Sequence, residues 1–89
     1  MAKGARDYWL SRSAGFRVDS PDGRIGTVED VRFSSGDRLA ALAVRAGLFS
    51  RRLLIVSTKT VAAVVERSPQ VVLRGAPVLF GTEPLAERS

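Results

Sequence analysis

Few side chains in this chain could carry chemistry, and their spacing does not assemble a site. The candidates are the carboxylates Asp19, Asp22, Glu29, Asp30 and Asp37, the hydroxyls Ser34, Ser35, Ser57, Thr58 and Thr60, and the amine of Lys59. Histidine and cysteine are both absent, which removes the commonest general base, the thiolate nucleophile and the usual zinc ligands. Glu29 and Asp30 are adjacent, so on a regular strand they point to opposite faces and cannot readily act as a pair. Ser57 precedes Lys59 by two residues and misses the Ser-x-x-Lys spacing. Gly23 and Gly26 lead into no helix, so they do not form a phosphate loop. The expectation is a non-enzyme with no catalytic residue, no metal site and no cofactor.

The elements that would position any site begin with a hairpin. Gly15-Phe16-Arg17-Val18-Asp19-Ser20 and Gly23-Arg24-Ile25-Gly26-Thr27-Val28 are short β-forming runs joined by Pro21-Asp22-Gly23. Proline suits the second position of a type I turn, Asp22 could bond back to the turn, and Gly23 can adopt the positive φ that closes it. Strand one is expected near Phe16 to Asp19 and strand two from Arg24 to Phe33. In strand two Ile25, Val31 and Phe33 share a parity that Val28 breaks, which is the pattern of a β-bulge bending a strand at a barrel corner, with Gly26 suited to the bend.

A turn at Ser34 to Asp37 precedes a third strand, Arg38 to Arg45, whose alanines lower its β propensity. Leu53 to Val56 is apolar throughout and reads as a strand buried on both faces. One helical turn near Thr58 to Val61 is expected to pass into another strand, which Ser68-Pro69 ends, and Gln70 to Arg74 is the last strand expected. The residues divide into a lead-in segment (1–13), a packed unit (14–75) and a C-terminal tail (76–89). The predicted fold is all-β, a small, partly open barrel of about five to six strands with short tails at both ends.

With 89 residues the chain is one domain with a thin core, and no cysteine can reinforce it. The formal charge is +5, from 14 basic and 9 acidic residues. The arginines are scattered from Arg6 to Arg88 and only Arg51-Arg52 are adjacent, so a solvated surface is favoured over a nucleic-acid track. The first residues lack the apolar run of a secretory signal, and no apolar stretch reaches membrane-spanning length. A cytoplasmic protein is expected.

The hairpin residues also carry a family resemblance. Gly15-Phe16-Arg17-Val18, Asp22-Gly23-Arg24-Ile25-Gly26, Val28-Glu29-Asp30-Val31, then Gly47-Leu48-Phe49 with Arg51-Arg52, an apolar strand and Val61, resemble a bacterial PRC-barrel domain. Such barrels occur in the cytoplasmic part of the photosynthetic reaction centre H subunit and at the C-terminal end of a bacterial ribosome maturation factor. The similarity spans about residues 14 to 75. One departure is Ser57, where the family often has proline after the fourth strand. No membrane anchor and no second domain is legible, so neither specific role is carried over. The resemblance implies a free-standing, non-enzymatic module that binds other macromolecules.

Two groups suit partner contact: Tyr8, Trp9 and Leu10 outside the barrel strands, and Leu48, Phe49, Arg51 and Arg52 in a loop. Each could instead plug a barrel mouth, with Trp9 capping the core. The function expected is adaptor or scaffold work on an unidentified protein, with self-association through strand edges as a further option. The alternative is an RNA- or ribosome-associated protein using its arginines, among which Arg17, Arg24 and Arg32 could share a face. A membrane partner has the least support. Pro21, Asp22, Gly23 and Gly26 are expected to be structural.

Overall fold

The computed structural model describes residues 8–34, 38–46 and 52–84. The hairpin forms as its turn chemistry dictates: β1 (Arg17–Ser20) pairs antiparallel with β2 (Gly23–Ser34), and Ser20 lies opposite Gly23. Gly23 has the required positive φ, at 131°. The side chain that ties the turn belongs to Ser20, not to Asp22. Its Oγ accepts the Asp22 N–H at 3.2 Å and donates to the Gly23 carbonyl at 3.1 Å. Ser20 holds the first turn position, from which a hydroxyl reaches the N–H two residues on.

Strand β2 bends where its alternation breaks. Its pairing with β3 (Arg38–Arg45) shifts register between Val28 and Asp30, leaving Glu29 as the extra residue of a bulge. Strand β4 (Arg52–Ser57) then leads into a 3-10 turn, Thr58–Thr60, followed by β5 (Val61–Val65) and β6 (Gln70–Leu73). Ser57 caps that turn by accepting the Lys59 N–H at 3.2 Å. A seventh strand, β7 (Leu79–Pro84), pairs antiparallel with β4.

All seven strands belong to one sheet, in the order β5-β6-β1-β2-β3-β4-β7. The sheet does not close, so the domain is a small, partly open barrel whose free edges are β5 and β7. Its inner face holds Leu10, Val18, Val28, Leu42, Val44, Val56, Val61, Val71 and Leu73. Ala41, Ala43, Leu53 and Ile55 form a second buried cluster. Their parity is opposite to that of Leu42, Val44 and Val56, so β3 and β4 are indeed buried on both faces.

Two expectations change. The tail assigned to 76–89 contains β7, so the described residues form seven strands where about five to six were expected. Gly81 and Pro84 weaken the local strand signal there, and pairing with β4 supplies what the segment lacks. The lead-in segment also contributes to the core, because Leu10 is fully buried. A helical turn over 8–10 delivers it, and the buried Ser13 hydroxyl donates to the Leu10 carbonyl at 2.7 Å.

Candidate interaction surface

The N-terminal group comes together as an aromatic pair. Tyr8 is 50% exposed and Trp9 is half-buried. Their rings meet edge to face at 5.1 Å, and the Arg12 guanidinium lies 3.9 Å from the Tyr8 ring centroid. Such stacking fixes Tyr8 and reduces the entropy that a contact would cost. Leu10 is core and offers nothing to a partner.

Of the loop group, Leu48, Phe49 and Arg51 lie outside the described residues. Arg52 starts β4 and donates from Nη2 to Thr82 Oγ1 on β7 at 2.9 Å, so it helps to hold the edge strand. In the structural group, Gly23 has the positive φ of the turn, Ser20 takes the role expected of Asp22, and Gly26 has a role other than bending the strand. Gly26 is buried beside the backbone of Arg45 and Ala46, so it serves close approach.

Sequence reasoning missed the most exposed apolar run among the described residues. Val78, Leu79 and Phe80 are 59%, 42% and 67% exposed. The signal was present as three consecutive apolar residues between Pro77 and Gly81, but a segment read as a tail gives no reason to ask what covers them. Phe80 is the extra residue of a bulge, since Val56 pairs with Leu79 and Ile55 with Gly81.

Among the described residues, three arginines are paired with carboxylates. Arg17 Nε bonds Asp19 at 2.8 Å and Arg45 Nε bonds Glu29 at 2.9 Å. Arg32 reaches Asp30 at 3.2 Å and holds both oxygens of Glu83 on β7, at 2.9 and 3.0 Å. That ion pair joins β2 to β7 across β3 and β4. Glu29 and Asp30 are thus committed to different arginines, Arg45 and Arg32.

These contacts set a pH dependence. The bond from Arg17 holds the Asp19 carboxyl below the usual carboxylate range against partial burial, helped by the 2.6 Å bond from Gln70 and the charges of Arg17 and Arg24. Glu83 is lowered chiefly by its bond from Arg32, which also raises the Arg32 guanidinium. Carboxylates lowered by folding stabilise the fold fully above their unfolded values, and that stabilisation is lost as pH falls through the folded ones. The urea midpoint is expected to be level near neutrality and to fall below about pH 4. Combining Asp19→Asn with Glu83→Gln should flatten that fall, and an unchanged slope would show that these pairs are not its source.

In comparisons with protein-family models, curated proteins and solved structures, nothing matches the chain. Among the described residues no helix is long and apolar enough to cross a membrane.

Proposed function

We propose that this chain is a free-standing, PRC-barrel-like module that works in the bacterial cytoplasm by binding another protein, without catalysis. The observation that supports this reading best is the unclosed sheet, whose edge strand β7 opens on three consecutive exposed apolar residues. A domain this small gains little from leaving such a run in water, and contiguous apolar exposure is characteristic of contact surfaces. Tyr8, braced by Trp9 and Arg12, offers a second aromatic anchor.

Affinity capture of the tagged protein from lysate of its own source, with and without nuclease, tests the reading. A retained protein is expected to survive nuclease treatment. Tyr8→Ala or Phe80→Ala should release it while thermal melting stays cooperative. Retention that disappears with nuclease would replace this reading with RNA binding through the arginines.

A further inference from the structure

We infer that the corner where the 3-10 turn meets the start of β7 docks a short, extended, acidic and apolar segment of a partner protein; this rests on the protein-binding reading above. Three backbone donors build the corner. The Ser57 N–H bonds the Val78 carbonyl at 2.8 Å, the Val78 N–H bonds Thr60 Oγ1 at 3.2 Å, and the Arg74 N–H bonds the Thr60 carbonyl at 2.9 Å. Thr58 and Thr60 are buried, with the Thr58 hydroxyl donating to the Ala40 carbonyl at 3.2 Å. Lys59, between them, is exposed. Arg74 is also exposed, and its Nη2 donates to the Val61 carbonyl at 2.9 Å. Two cations therefore flank the point from which Val78, Leu79 and Phe80 emerge.

The apolar part of the corner continues the core. Val31, Leu42, Val56 and Leu79 are successive partners across β2, β3, β4 and β7, so one row of the inner face runs out to the free edge. Leu79 ends that row half-exposed, and the bulge places Phe80 beside it. An apolar side chain arriving along β7 would extend the same row.

The cations determine the partner's charge. Lys59 and Arg74 have no carboxylate partner among the described residues. Asp19, Glu29, Asp30 and Glu83 are each bonded to an arginine. Glu66 follows the far end of β5, and Asp22 lies in the β1–β2 turn. A twofold contact with a second copy centred here would bring like cations together, with no acid to separate them. The Phe80 bulge and the missing N–H of Pro84 also restrict a continuous ladder along β7. Side chains must therefore supply most of the contact: carboxylates to Lys59 and Arg74, apolar groups to Val78, Leu79 and Phe80.

Fluorescence anisotropy with a labelled peptide that alternates glutamate with valine and leucine tests the assignment. Its lysine-for-glutamate counterpart, oligouridylate RNA and phosphatidylserine vesicles serve as competing probes. The acidic peptide is expected to bind, and to bind more weakly as salt rises. Phe80→Ala should weaken it about tenfold or more, and Lys59→Ala about two- to fivefold. Both side chains are exposed, so melting should not change, and Arg67→Ala, an exposed cation beyond the far end of β5, should leave peptide affinity unaltered. Equal binding of the lysine peptide, an unchanged affinity in Phe80→Ala, or binding of RNA or vesicles in place of the peptide would overturn the assignment. If Phe80→Ala releases a nuclease-resistant protein from lysate while the acidic peptide fails to bind, the acidic partner is wrong and the protein-binding reading stands. If capture is abolished by nuclease, both fall.

Discussion

Gly26→Val is expected to prevent the barrel from folding. Gly26 is buried on β2, and a Cβ built there collides with the Arg45 carbonyl oxygen, with the Arg45 carbonyl carbon at 2.8 Å and the Ala46 Cα at 2.9 Å. All three atoms are backbone at the end of β3, so no rotamer change can relieve the contact. The strand itself would have to move, and β3 is held on both sides by β2 and β4. Overpacking costs about 1–3 kcal/mol even where side chains can give way, out of a total stability of roughly 5–15 kcal/mol for a typical domain, and a clash with fixed backbone lies at or above the top of that range. Gly26→Ala should already show a loss of about 3 kcal/mol or more in urea unfolding. Gly75→Ala is the control, because a Cβ there meets nothing within 4 Å, and it should be close to neutral. If Gly26→Ala melts like the parent, the approach of β2 to β3 is not as close as the structure places it.

Truncation before Val78 is expected to be the other severe change. It removes β7 and converts β4 into an edge. Leu53, Ile55 and Val56 are buried and Leu54 is half-buried in the intact domain, so the new edge would be an apolar strand with unpaired N–H and C=O groups. The Arg32–Glu83 ion pair and the bond from Arg52 to Thr82 would go with it. Exposing even two such side chains costs about 3 kcal/mol or more, and an unprotected apolar edge templates pairing between molecules. Size-exclusion chromatography should show aggregates, and any remaining monomer should unfold at much lower urea. A truncated chain that stayed monomeric with an unchanged midpoint would reduce β7 to an appendage and remove the basis for the docking corner.

Much of the architecture was legible because it is encoded locally. The first turn is specified by Pro21 and Gly23, the bulge in β2 by a parity break between Ile25 and Val28, and the two-sided burial of β4 by an unbroken apolar run. One helical turn near Thr58 to Val61 passing into a strand was expected, and the 3-10 turn Thr58–Thr60 does lead into β5. The interaction surface was much less legible. Tyr8 is 50% exposed, Arg52 serves β7, and the most exposed apolar run among the described residues was assigned to a tail.

What the sequence determined by itself, then, was the all-β class, the first turn and the two-sided burial of β4, because each depends on short-range turn chemistry or on an unbroken apolar run; the turn expected at Ser34 to Asp37 lies mostly outside the described residues. Tertiary structure alone decided that Leu10 is core, that Gly26 is indispensable for its neighbour's backbone rather than its own, and that Leu79–Pro84 is a strand. Each of those outcomes depends on a partner far away in the chain. Val56 lies 23 residues before Leu79 and Arg32 lies 51 before Glu83, and no local propensity carries the energy of contacts made at that separation.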